Sequence, residues 1–281
     1  FGHEMAGTVL ECGPGVVSHK PGMKVAVESS APCGWCSACH DGRQEFCINV
    51  QSFFCGGTYG FADEAIVPAI TALPAEGLDP AVASLSEPLG VAIDMFRLSD
   101  ISINSNVLVM GPGPIGLMAL ALLRRAGVRR LFMSGHDRRP ARRAVAERIG
   151  IDGWIDPTKT PLETFNFGAP IDRIFVTCPP KNLSTAFQLA AKGGIITFIG
   201  IENGEGAFCR FDANAFHFKK LQLRASFASP ALYTPLALQY LKEGVVDGEM
   251  LISHRIPLAE IDRALAIARN DPDAVKVVVT R

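Results

Sequence analysis

Val107-Leu108-Val109-Met110-Gly111-Pro112-Gly113-Pro114-Ile115-Gly116-Leu117-Met118 decides how the rest of the chain is read. It lies within 101–123, an uncharged run long enough to cross a bilayer at about 20 residues. Gly111-Pro112-Gly113-Pro114 breaks any continuous helix there. What remains is a short apolar run, 107–110, followed by a helix-length run, 115–126. The reading is strand, turn, helix, with G-x-G-x-x-G at the turn. In that setting the glycines serve a tight turn, close approach of backbone to a pyrophosphate, and close packing of helix on strand. The pyrophosphate would sit at the helix N-terminus, where free N–H groups and the dipole favour an anion. The bland alternative is a glycine-rich turn that binds no nucleotide.

Outward from this turn the pattern alternates. Strands are expected at 107–110, 131–134, 171–177, 194–200 and 221–227, and helices at 115–126, 141–149 and 183–191. Such alternation predicts a parallel sheet covered on both faces. Upstream, residues 1–75 are rich in Gly, Pro and Val with short apolar runs such as Lys24-Val25-Ala26-Val27, which predicts short strands joined by turns. Asp79-Pro80 reads as an N-cap and first helical residue, opening a helix to Leu98. Downstream, helices are expected at 235–243 and 258–270, with a closing strand at 275–280.

The 281 residues suit two domains better than one. The 27 basic and 28 acidic residues give a net charge of -1, which disfavours nucleic acid and anionic membrane as partners. At 48% hydrophobic and 20% charged, the chain has the composition of a globular protein. No secretory signal opens the sequence, so a cytoplasmic protein is expected. The first residue is Phe1, so the chain is expected to be processed or to be the C-terminal part of something longer.

Cys33, Cys36, Cys39 and Cys47 crowd into one loop of an eight-cysteine chain. Four thiolates close a tetrahedral zinc site and leave no position for substrate, so the zinc here is expected to be structural. Paired disulfides or an iron–sulfur cluster are the alternatives.

A site for NAD normally shows Asp or Glu about 20 residues after the glycines, at the end of the second strand. That place holds Gly135, and Arg138, Arg139, Arg142 and Arg143 follow, so a 2′-phosphate could be held by arginine and NADP is favoured over NAD. The competing reading makes these arginines a solvated helix face and lets Asp137 reach the ribose. His3, Glu4 and Glu87 are of the types that hold a catalytic zinc. Read alone, His3-Glu4 is more often a surface pair, and Glu87 more often a helix residue that faces solvent or complements the dipole.

Taken in order, Gly2-His3-Glu4, the 33–47 cysteine loop, Ser86-Glu87-Pro88-Leu89 and the 111–116 turn resemble the zinc-containing medium-chain dehydrogenase/reductases, most closely their polyol (sorbitol) and threonine dehydrogenase branch. The resemblance extends to Ser253-His254-Arg255-Ile256-Pro257-Leu258. It implies an α/β protein in which a doubly wound Rossmann domain, 91–229, is inserted into a mostly β, GroES-like catalytic domain formed by 1–90 and 230–281. It implies that His3 ligates a catalytic zinc and that Glu4 and Glu87 ligate it or sit within reach. The four cysteines would hold the structural zinc. The cofactor would lie along Gly111, Gly113, Pro114, Ile115 and Gly116, with Ile199, Gly200 and Ile201 facing the nicotinamide. Members of the family carry several dozen residues before the Gly-His-Glu motif, among them the first catalytic-zinc cysteine. The catalytic shell in this chain is therefore expected to be incomplete and hydride transfer by it poor.

The expected activity is transfer of a hydride between a secondary alcohol (a polyol, sugar alcohol or hydroxy amino acid) and NAD(P), with zinc as Lewis acid for the substrate oxygen. The alternatives are a zinc-free quinone reductase, against which the cysteine loop argues, and a zinc-ribbon nucleic-acid-binding protein, against which the even charge and the complete glycine turn argue. A homodimer or homotetramer is expected from the resemblance.

Overall fold

The computed structural model describes residues 2–52 and 60–281, which fall into two units. One comprises Phe1–Val91, Ala228–Asn270 and Lys276–Arg281, the other Ala92–Phe227 and Asp271–Val275.

The first unit begins as a three-stranded sheet. Strand β1 (Met5–Thr8) pairs antiparallel with β2 (Lys24–Val27). Strand β3 (Ser30–Ala31) follows, then a short helix α1 (Ser37–His40) inside the cysteine loop and β4 (Gln51–Ser52), which pairs with β3. Strand β5 (Ala72–Pro74) covers the other edge of β2. Alternation along β2 sorts its side chains between two cores. Val25 and Val27 pack with Ala72, Met5, Val9 and Val67. Ala26 packs on the opposite face with Ala75, Ala83 and Leu238.

The single helix expected from Asp79 to Leu98 is two helices, α2 (Pro80–Ala83) and α3 (Ser86–Arg97). Asp79 caps α2 as expected, accepting from the N–H groups of Ala81 and Val82. The break follows from Pro88, which has no N–H to offer the carbonyl of Ser84. The chain tightens there instead, Leu85 N–H reaching Val82 O at 3.0 Å.

In the second unit β6 (Asn106–Met110) is wholly buried and leads into α4 (Pro114–Arg125). Then come β7 (Arg130–Ser134), α5 (Pro140–Ile149), β8 (Gly153–Ile155), β9 (Ile171–Val176), α6 (Leu183–Leu189), β10 (Ala190–Phe198), α7 (Ala213–Phe218) and β11 (Gln222–Ala225). The strands form one parallel sheet in the order β11-β10-β9-β6-β7-β8. This is the doubly wound arrangement, whose direction of travel reverses between β6 and β9, and ligands of such sheets bind at the carboxyl ends of the strands beside that reversal. Residues 190 and 191, expected to be helical, open β10, with a register shift before Ile195. Strand β8 and helix α7 were not foreseen.

The chain returns to the first unit with α8 (Thr234–Lys242), α9 (Gly248–Leu251), β12 (Ile252–Pro257), α10 (Ile261–Asn270) and β13 (Lys276–Thr280), β12 and β13 running parallel. Between α10 and β13, residues 271–275 belong to the second unit, where Arg139 donates to Asp271 O and Arg142 Nε donates to Ala274 O at 3.0 Å. No helix among the described residues is long and apolar enough to cross a membrane. The uncharged run 101–123 instead supplies β6, the glycine turn and most of α4.

Candidate metal centres and cofactor turn

The cysteine loop closes on itself. Helix α1 sets Cys36, its N-cap, and Cys39 three residues apart on one side. Gly34 and Gly42 flank it with φ of 81° and 73°, conformations that favour glycine. The sulfurs of Cys33, Cys36, Cys39 and Cys47 all lie within 4.8 Å of one another. Measured separations are 4.0 Å for Cys33–Cys39, 3.6 Å for Cys36–Cys39 and 4.0 Å for Cys36–Cys47. A tetrahedron with zinc–sulfur bonds of about 2.3 Å has sulfur–sulfur edges of about 3.8 Å, so these residues fit the ion. The thiols are free, not paired as disulfides. N–H groups of Cys39 and Ile48 pull the Cys36 thiol down to about 6, and the N–H of Cys33 lowers Cys47. Burial pushes Cys39 up to about 12. Four sulfurs this close cannot all carry charge unaided, and a dication resolves that conflict.

A second cluster lies in the same unit and is drawn from distant parts of the chain. Ligand atoms of His3, Glu4 and Glu87 lie within 4.8 Å of one another, His3 Nε2 standing 3.6 Å from Glu87 Oε1. Glu87 occupies the first turn of α3, where burial pushes its carboxyl up to about 7 against a hydrogen bond from Ser29. Burial, then the charge of Lys276, lowers His3, which keeps the imidazole neutral and able to ligate. Lys276 Nζ contacts Glu4 Oε2, and burial lowers the lysine to about 8. Two half-buried carboxylates beside a neutral imidazole fit a dication. Lys276 and Ser29 were missed by the sequence reading. The signal for Lys276 was a lone charge in the apolar run Ala274-Val275-Lys276-Val277-Val278-Val279.

In the second unit Gly111 has φ of 110°, and a side chain there would meet Thr177 Oγ1 at 2.9 Å. A side chain at Gly116 would run into Gly111 O, whereas Gly113 opens on free space, as close approach by a pyrophosphate requires. Pro114 is the first residue of α4, so Ile115 and Gly116 present backbone N–H groups at the helix start. Thr177, also missed, follows β9 and donates its hydroxyl to Gly111 O at 2.8 Å. Ile199, Gly200 and Ile201 follow β10 at the same carboxyl edge, where Gly200 is pressed against Cys178 O.

Gly135 follows β7 and is walled in. A Cβ there would lie 2.5 Å from Pro112 Cγ and 2.7 Å from Trp154 Cη2, so no acidic side chain fits. Asp137 is engaged: its carboxylate accepts from Trp154 Nε1 at 2.9 Å, Lys159 Nζ at 2.7 Å and Arg143 at 3.2 Å. Arg139 and Arg142 are turned to carbonyls of 271 and 274, while Arg138 is exposed.

A doubly wound sheet with this turn at its reversal, joined in sequence to a β unit carrying a four-thiolate cluster and a His-Glu-Glu cluster, defines a dinucleotide-dependent dehydrogenase. Residues 1–77 match the alcohol dehydrogenase GroES-like domain and residues 114–243 the zinc-binding dehydrogenase domain. An L-threonine 3-dehydrogenase of Bacillus velezensis is 31% identical over 277 residues, spanning 96% of this chain and 78% of that one. An alcohol dehydrogenase of Escherichia coli CFT073 solved with NADH superposes with a TM-score of 0.88 at 27% identity, covering 99% of this chain and 83% of that one. A zinc-binding dehydrogenase of Sinorhizobium meliloti 1021 solved with NADP gives 0.85 at 27% identity, covering 99% and 82%. The chain belongs to the zinc-containing medium-chain dehydrogenase family. It is an oxidoreductase that transfers hydride between an alcohol and NAD(P).

Proposed function

We propose that the substrate is a small molecule with a secondary hydroxyl, of the polyol, sugar alcohol or hydroxy amino acid class, and that NADP is the preferred cofactor. The substrate class rests on the relation to a threonine 3-dehydrogenase and on a carboxylate, Glu87, in the metal-binding cluster. In this reading His3, Glu4 and Glu87 hold the catalytic zinc and Cys33, Cys36, Cys39 and Cys47 the structural one. When bound, the catalytic ion supplies a Lewis acid for the substrate oxygen and the nicotinamide accepts the hydride. The chain's own part is positional. Neutral His3 offers its imidazole, Glu87 is fixed through Ser29, and Thr177 pins the glycine turn through Gly111 O. The 199–201 backbone would line the nicotinamide side.

The observation that carries the cofactor preference is Gly135, which has no carboxylate and no room for one. With Asp137 tied to Trp154, Lys159 and Arg143, the exposed Arg138 is a cation placed to meet a 2′-phosphate, and Arg139 is its neighbour in sequence. Titrating NADP and NAD into the parent and into Arg138→Ala tests this. NADP binding should fall by about 10- to 100-fold in the variant, the range for a lost hydrogen bond to a charged group, with NAD binding unchanged. Equal affinity of the parent for both cofactors would remove the preference. A substrate screen of the complete gene product with both cofactors tests the alcohol class.

Reduced thiols in the cysteine loop suit a cytoplasmic setting. Edge strand β11, with exposed Leu223 and, just beyond it, exposed Phe227, supports pairing of two copies through their sheets.

A further inference from the structure

We propose that Lys276 is a positioning residue for the catalytic metal, holding Glu4 by one oxygen so that the other alone is presented to the ion. The proposal rests on the reading of His3, Glu4 and Glu87 as a metal site. Lys276 opens β13, and its side chain is only 15% exposed. A buried ammonium needs a counter-charge, and its partner is Glu4 Oε2, 272 residues away in sequence. Glu4 is itself only 28% exposed, so it is not free to turn outward into water. A carboxylate oxygen of Glu4 lies within 4.8 Å of ligand atoms of His3 and Glu87, and with Oε2 engaged by the ammonium, Oε1 is the oxygen left to serve an ion there.

Charge points the same way. Two carboxylates and a neutral imidazole would cancel both charges of a dication, and the ammonium on Glu4 restores one positive charge to the cluster. A carboxylate that is hydrogen-bonded from behind is also a better-placed ligand than a free one, and loss of such partners typically lowers metal affinity by about 10- to 100-fold. Simple competition between ammonium and metal for Glu4 predicts the opposite sign, which makes the two accounts separable.

The test is chelator-competition titration of the full chain with Zn2+, resolving a tight thiolate class and a second class. Lys276→Met should weaken the second class by about 10- to 100-fold and leave the thiolate class unchanged, and Lys276→Arg should restore most of the loss. In a Glu4→Gln background Lys276→Met should add no further loss, an outcome that a general structural role would not give. Should Lys276→Met not fold, Lys276→Gln, which keeps a donor without charge, carries the same comparison and should also weaken the second class. A second class as tight as or tighter than the parent's in the folded Lys276 variant would overturn the proposal and leave the metal site standing. A parent chain with no second class would overturn the metal site, and the proposal with it.

Discussion

The two candidate metal clusters of the first unit are built in opposite ways. The thiolate cluster spans fifteen residues of one loop, and its geometry follows from a short helix and two glycines. The His3, Glu4 and Glu87 cluster joins the chain's beginning to a helix more than eighty residues later and leans on a lysine of the last strand. The first is written in spacing. The second exists only once β13 and α3 are in place, so its ligands depend on tertiary structure for their orientation.

If that contrast holds, each cluster can be removed without the other. The largest effect is expected from Cys36→Ser, which removes one of the sulfurs on which the loop closes. Folding energy from a closed zinc site is on the order of 10 kcal/mol, so one zinc equivalent and the loop's resistance to proteolysis should be lost together, while the second class of zinc remains. Simultaneous loss of both equivalents by metal analysis would break the contrast.

His3→Ala should act in the other direction. It should cost the second zinc class more than about 100-fold in affinity, because a ligand matters more than its hydrogen-bonded support, and leave the thiolate zinc in place. Chelator titration reads both classes in one experiment.

The smallest effect separates buried carboxylates with and without a candidate ion. Glu28, 5% exposed and hydrogen-bonded by Thr234, is pushed by burial from 4.5 to about 7, much as Glu87 is, but belongs to neither cluster. In the folded chain Glu28 keeps its proton up to about pH 7, whereas the unfolded chain releases it near 4.5, so stability falls as pH rises through that window. Glu28→Gln should therefore stabilise the protein at pH 8 by on the order of 2 kcal/mol and change little at pH 4.5. Urea melts at the two pH values check this, and an equal loss of stability at both would show that Glu28 is held by a contact that does not depend on its ionisation.

The same division between local and tertiary encoding explains what the sequence made legible. The strand–turn–helix at 107–126 and the cysteine loop are short-range patterns; the structure places the first as read, apart from small shifts at its ends, and brings the four sulfurs of the second together. The run 79–98 was readable as helical, but its division at Ser84-Leu85 depends on the proton that Pro88 lacks. The arginines after Gly135 were legible as charge. That Arg139 and Arg142 turn to carbonyls of residues 271 and 274 was not, since no pattern within α5 announces partners 132 residues away. Lys276 and Thr177 escaped for the same reason, each acting on a residue far off in sequence.

Gly135 bears on how a lineage of such enzymes could change its cofactor. Pro112 and Trp154 close on the glycine from two sides, so a single replacement that installs an acid there is blocked. The shorter mutational path begins at Trp154. Its ring is one wall of the glycine's niche and its Nε1–H is one of the donors tethering Asp137. A smaller residue at 154 would at one stroke remove one of the two walls at 135 and loosen a carboxylate already waiting two residues away, while Pro112 would still stand against any side chain at 135. If NADP is the preferred cofactor, a change of preference in descendants of this chain therefore starts at an aromatic residue of β8, and any acid at 135 should be found only where both Trp154 and Pro112 have already been replaced.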